Sequence, residues 1–246
     1  MTFYKLIIIG LLATCFTGTA NATIIEWESN YGTLSDLSGD DDNNELFNLG
    51  FDFSFYNTTY NQVYGSTNGS LFFNNEEEYA IGSDIEGGYG PMIAAFNADL
   101  NPEEGGDIYT NTLGTAGDKR FVMTWLNVID YEEEFYNSFQ AILFENGTIR
   151  FNYLQLNGSG DDGGNDVIGV SQGDDSHFNY FTADDGNANG IHPSGKSLLY
   201  TWNSTSANYD QTASQLASVS EPTTLAIFAL GILGLASRRF KNSNSL

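Results

Sequence analysis

Residues that could do chemistry are few in this sequence, and most are acidic. The sharpest candidate is Asp185-Gly186-Asn187-Ala188-Asn189-Gly190. Asp185, Asn187 and Asn189 offer side-chain oxygens at alternate positions, and the closing glycine permits a sharp turn, a pattern that suits calcium. Position seven would offer the Ile191 carbonyl, but position twelve is Lys196, where a complete calcium loop has a bidentate glutamate. One carboxylate among three side-chain ligands implies weak binding, ~10⁻⁴–10⁻³ M. A plain Asn/Gly turn accounts for the same residues. Asp40–Glu45 lacks the glycine at its sixth position and reads as a solvated acidic loop. The run Gly160–Asp166 occurs once, whereas stacked calcium turns come in repeats. Calcium is the one cofactor that these patterns raise, and no other is expected.

Carboxylate catalysis fares worse. Glu76-Glu77-Glu78 and Glu132-Glu133-Glu134 are the dense glutamate groups. A glycosidase pair needs one desolvated acid and a separation of ~5–9.5 Å across a cleft. Adjacent glutamates repel one another and sit on wet loops. His177 and His192 are the only histidines, and neither stands in a metal or triad spacing. Gly-x-Ser-x-Gly and phosphate-binding glycine loops do not occur. Tyr131, Phe135 and Tyr136 could stack on sugar rings or serve as core and loop anchors. The sequence therefore predicts a protein that is not an enzyme. A calcium-assisted carbohydrate-binding module is the alternative.

The charge narrows the partners. The formal net charge is −24, and four of the eight basic residues (Lys5, Arg238, Arg239 and Lys241) lie near the ends. Thr23–Pro222 is left with four basic residues against all 32 acids. Such a surface repels nucleic acid and attracts cations, so nucleic-acid partners are excluded. The single cysteine, Cys15, falls in the N-terminal segment, so a domain starting at Thr23 has no disulfide and no thiol nucleophile.

These residues need a scaffold, and the strand signals supply one. Phe51, Phe53 and Phe55 alternate with Asp52 and Ser54, as in a strand with one buried face. Val63–Thr67 and Ser70–Phe73 flank Asn68-Gly69, a hairpin dipeptide. Met92–Phe96, Ile108–Thr112, Val167–Val170 and Ser197–Trp202 read as further strands, with Thr23–Trp27 as a candidate edge strand. Arg120–Val128 has the make-up of a central strand. Phe139–Tyr153 is the best hairpin, with Phe139, Ala141 and Leu143 on one face and the turn at Glu145-Asn146-Gly147. The expected fold is all-β, an antiparallel sandwich or barrel-like domain over 23–203. Residues 204–218 are polar and small, and read as a linker.

Both ends carry addresses. Met1–Ala22 reads as a secretory signal peptide, with Lys5 at its charged start and Ala20-Asn21-Ala22 as the cleavage site. Leu12-Ala13-Thr14-Cys15 resembles a lipoprotein box only loosely. At the other end, Glu221-Pro222 breaks the chain, Leu225–Ala236 is apolar without a charge, and Arg238, Arg239 and Lys241 close it. With its flanks Thr223–Ser237 this run would make a helix ~22 Å long. That spans a ~30 Å hydrocarbon core only marginally. The basic cluster would stay on the cytoplasmic side of the inner membrane, which puts the domain outside.

The tail over 219–246 resembles the PEP-CTERM sorting signal of Gram-negative bacteria. Ser220, Glu221 and Pro222 stand for its Pro-Glu-Pro-like motif, with serine in place of the first proline, and Arg238 and Arg239 for its arginine cluster. The resemblance implies export through the secretion machinery, a transient stay in the inner membrane, recognition by an exosortase, and transfer to the cell surface or exopolysaccharide. Within about 49–172 the pieces LGFDFSFYNTTYNQVYGSTNGSLFF, MIAAFNADLNP, GDIY, RFVMTWLNV, FQAILFENGTIRFNY and VIGVSQG resemble, in order, the extracellular NIDO domain of nidogen and many bacterial surface proteins. Tyr56-Asn57 replaces the usual Tyr-Gly, and Asn97 stands where an aromatic is common. This resemblance implies a β-rich module for adhesion or matrix association, with no catalytic residues to transfer.

Overall fold

The computed structural model describes residues 27–74, 85–132, 135–158, 166–183 and 193–215. Alternating apolar and polar residues build nearly all of it from strands. The first half contains β1 (Thr33–Leu34), a single 3₁₀ turn (Asp36–Gly39), β2 (Asn44–Phe55), β3 (Thr58–Ser66), β4 (Ser70–Phe72), β5 (Met92–Asn97) and β6 (Asp107–Leu113). The second half contains β7 (Arg120–Ile129), β8 (Tyr136–Phe144), β9 (Ile149–Gln155), β10 (Val167–Ser171), β11 (Phe178–Ala183), β12 (Lys196–Asn203) and β13 (Asn208–Gln215). They form two antiparallel sheets, one of seven strands in the order β1-β6-β7-β8-β9-β12-β13, the other of six in the order β11-β10-β5-β4-β3-β2.

The inner faces meet in one core. Phe53, Phe55, Val63, Leu71 and Ile93 from one sheet pack with Met123, Trp125, Phe139, Phe151 and Leu198 from the other. Two aromatic heads tie the sheets together across that core. Trp125 Nε1 donates to the Ser66 carbonyl at 3.1 Å, and the Tyr153 hydroxyl donates to the Ala95 carbonyl at 2.6 Å. Each satisfies a polar atom that burial would otherwise penalise. Burial holds the Tyr153 hydroxyl well above the usual tyrosine range, so it stays a donor.

Of the two architectures expected, the sandwich is the one formed. The two sheets share no strand, so the ladder never closes into a barrel. Where the edges β11 and β13 approach, side-chain amides bridge them instead. Asn179 Nδ2 donates to the Tyr209 carbonyl and Asn208 Nδ2 to the Phe178 carbonyl, both at 2.8 Å. Such cover restrains edge strands from pairing with other chains.

Most strand expectations hold. β7 lies inside the seven-stranded sheet, and β8 and β9 form the hairpin around Gly147, whose φ is +82°. At Asn68-Gly69 only Gly69 takes a positive φ, +75°. A tight turn with positive φ at both central residues lies elsewhere, at Tyr56 (+45°) and Asn57 (+62°) between β2 and β3. The Tyr56 ring is pinned by Trp202 and Tyr209, and this packing offsets the backbone strain.

One expectation is corrected. The linker over 204–218 is instead part of the domain as far as Gln215, because β13 pairs with β12 along its whole length. Tyr209, one of its polar-looking residues, is 1% exposed and belongs to the core. Beyond residue 215 lie the end of that stretch, the tail and the short C-terminal hydrophobic helix expected there, all outside the described residues. Among the described residues no helix is long and apolar enough to cross a membrane.

Candidate functional site

The loop between the 3₁₀ turn and β2 carries Asp40-Asp41-Asp42-Asn43, and the β3–β4 turn clamps it. Asn43 N–H donates to Thr67 Oγ1 at 3.1 Å, while Thr67 N–H donates to the Asn43 carbonyl at 2.9 Å. Asn43 Nδ2 holds Asp40 at 2.7 Å. Asn68, fully buried, then works in two directions. Its Nδ2 donates to Asp42 Oδ1 at 2.9 Å, and its Oδ1 accepts Leu100 N–H at 2.8 Å. Leu100 follows Asp99 in the loop after β5, and the Asp99 carbonyl accepts Tyr131 N–H at 3.0 Å. Three segments distant in sequence are locked together by one asparagine.

The result is a cluster of carboxylates. Asp41, Asp42 and Asp99 each offer an oxygen, and these oxygens lie within 4.8 Å of one another. Asp42 sits at a φ of +44°, a conformation Asp tolerates better than most residues. Burial, then the Asp42 charge, pushes the Asp41 carboxyl above its usual range, and Glu103 adds to the push. Oxygen donors of this kind could hold a hard divalent cation. Among the described residues this is the one such grouping of His, Cys, Asp and Glu.

The raised Asp41 pKa has a definite sign. The folded state binds the proton more tightly than the unfolded chain, so stability falls as pH rises from the unfolded carboxylate value through the folded one. Asp41→Asn keeps the shape and removes the charge. It is expected to raise Tm by about 2 °C at pH 7 in metal-free buffer. The gain should vanish near pH 3, where Asp41 is protonated in the parent. Thermal melts across that range check it, and equal melting points at pH 7 would show that Asp41 bears no strain.

Asp185, Asn187 and Asn189 of the calcium loop lie outside the described residues, as do Ala20, Ala22, Ser220, Glu221, Pro222, Arg238 and Arg239. Of the glutamate runs only Glu132 is described. His177 pairs with Asp174 at 2.7 Å on an exposed turn, and that contact holds the Asp174 carboxyl below its usual range. Tyr131 and Tyr136 are exposed, while Phe135 is half-buried. The acidic loop around Asp41 is half-buried rather than wholly solvated. Its sequence signal was the acidic run itself; the missing partner, Asp99, is visible only in the fold.

The NIDO related family model matches residues 16–210, well over half of the chain. The chain belongs to the NIDO-related family. The match extends on both sides of the stretch whose motifs resemble NIDO, and it reaches the first three residues of β13. In this NIDO-related chain the PEP-CTERM protein-sorting motif follows directly, over residues 218–239. No curated protein and no solved structure matches it. The sorting motif implies export and an exosortase as processing partner. The two families found are extracellular and sorting modules, not catalytic ones.

Proposed function

We propose that this NIDO-related chain is a non-enzymatic matrix component of a Gram-negative bacterium, delivered to the cell surface or exopolysaccharide, where it serves an adhesive or structural role. The observation that carries this is the sorting motif over residues 218–239 immediately behind a complete β-sandwich. The order suits the task. The domain folds outside, and the tail with Arg238 and Arg239 holds it at the inner membrane until an exosortase cuts near Pro222. The acidic surface keeps the released domain soluble and away from anionic lipid.

The test is the intact mass of the protein recovered from the host's surface, medium and membranes. The wild-type chain is expected to begin at Thr23 and end near Pro222 in the surface and medium fractions. Replacing Arg238 and Arg239 together by Ala should deplete that cut form at least several-fold. A chain that keeps Arg238–Leu246 in every fraction would overturn the sorting role.

A further inference from the structure

β13 delivers the chain to one end of the seven-stranded sheet. Its last residue, Gln215, pairs with Lys196 at the start of β12, and Lys196 pairs with Tyr153 on β9. Leu154 is the next residue along β9. Gln155 pairs with Ser138, which puts the start of β8 at the same end. Ile129, the last residue of β7, pairs with Tyr136, and Tyr131 follows in the β7–β8 turn. The chain thus leaves the sandwich at the end that carries Tyr131, Tyr136 and Leu154.

Those three side chains stand out from the rest of the domain. Among the described residues, the large apolar or aromatic ones left exposed are Leu34, Leu46, Tyr131, Tyr136 and Leu154. Tyr131, Tyr136 and Leu154 are 58%, 50% and 47% exposed. Leu34 lies on β1, at the opposite edge of the sheet from β13. Leu46 lies on the other sheet, in a paired row that crosses to Phe178. Phe178 meets Asn208, where β13 begins, so that row belongs to the far end.

Hydrogen bonds fix the backbone beneath the patch. Tyr131 N–H donates to the Asp99 carbonyl at 3.0 Å. Asp130 closes the β7–β8 turn, its N–H on the Phe135 carbonyl at 3.1 Å and its Oδ1 accepting Phe135 N–H at 2.7 Å. Asn157 Nδ2 donates to the Tyr136 carbonyl at 2.8 Å. Asn137, 0% exposed, bonds the Gly158 carbonyl and the Asn157 N–H, both at 2.9 Å. Tyrosines on a fixed backbone lose little entropy when a partner covers them.

The length of chain beyond β13 says which partner comes here. Residues 216–222 are one residue fewer than β13 and, whatever their path, span at most ~25 Å. β13 is paired with β12 as far as Gln215, so the domain cannot retreat without unzipping a strand. An enzyme that cuts near Pro222 must therefore come up against this end of the sandwich. Glu103, Glu104 and Glu132 are exposed in the loops beside the patch, a rim that repels anionic lipid. An aromatic centre within a charged rim suits a protein partner.

Resting on the sorting role above, we propose that this end is the docking face for the exosortase, with Tyr131, Tyr136 and Leu154 as its anchors. The enzyme then reads the folded domain as well as the motif, and a chain with an unformed sheet end is cut slowly.

Pulse-chase of the full chain in its host tests this, following conversion of the form that keeps Arg238–Leu246 into the cut form. Replacing Tyr131, Tyr136 and Leu154 together by Ser is expected to slow cutting about ten-fold, as when an interface loses its aromatic anchors. Leu46→Ser, at the far end, should be cut at the parent's rate. An unrelated soluble domain placed ahead of residues 216–246 should be cut as slowly as the triple variant, a comparison that does not depend on how the triple variant folds. Cutting of that fusion at the parent's rate would overturn the docking face, as would equal slowing by Leu46→Ser. Both results leave the sorting role standing, because the parent is still cut. A parent chain that is never cut would overturn the sorting role and the docking face together.

Discussion

Tyr209→Ala is expected to destabilise the domain by about 4 kcal/mol, the cost typical of emptying a buried aromatic site. The ring stands among Phe55, Tyr56 and Trp202, with centroids at 5.5, 5.2 and 5.4 Å. Its hydroxyl donates to the Ser54 carbonyl at 3.3 Å and the Gly147 carbonyl at 3.2 Å, so it joins the β2 end to the β8–β9 turn. Burial raises its pKa well above the ordinary tyrosine value, which keeps the donor protonated. Truncation to Ala removes the ring contacts and leaves two carbonyls short of a donor. Urea denaturation measures the loss, and Tyr209→Phe should recover most of it. A neutral Tyr209→Ala would return this stretch to the role of spacer.

Gly69→Ala should be costlier still, enough to leave little folded protein. A Cβ at Gly69 would lie 1.9 Å from the Phe96 carbonyl oxygen, and the φ of +75° is itself unfavourable for a side chain. The obstacle is backbone and cannot swing aside, because Ala95 and Phe96 N–H groups both donate to the Gly69 carbonyl, at 3.1 and 3.2 Å. Any shift also moves Asn68, which positions Asp42 and Leu100. Soluble yield and near-ultraviolet circular dichroism provide the measurement. A variant with the parent's melting point would show that the turn relaxes and that the Asp cluster does not depend on it.

Local rules accounted for much of this fold. The Phe51-Phe53-Phe55 alternation is visible because one strand face is buried and the other wet. The β8–β9 hairpin is visible because Gly147 marks its turn. β13 was hidden because Tyr209 is the one fully buried side chain among those described in it, so Asn208–Gln215 carries almost no apolar signal beyond that residue. The Tyr56-Asn57 turn was hidden because neither residue is glycine. Ring contacts made by Trp202 and Tyr209, far along the chain, hold it.

The candidate site divides in the same way. Acidity, the tail and the strand pattern are properties of neighbouring residues, and the sequence alone determined them: an all-β, strongly acidic chain carrying a sorting signal. Asp41, Asp42 and Asp99 lie in loops far apart in the chain, and only the clamp through Asn68 brings their oxygens within 4.8 Å. The hydrogen bond from Glu28 N–H to Gln140 Oε1 likewise joins residues 112 positions apart. Tertiary structure decided both, because hydrogen bonds between distant segments depend on strand order and register, and no local spacing encodes those.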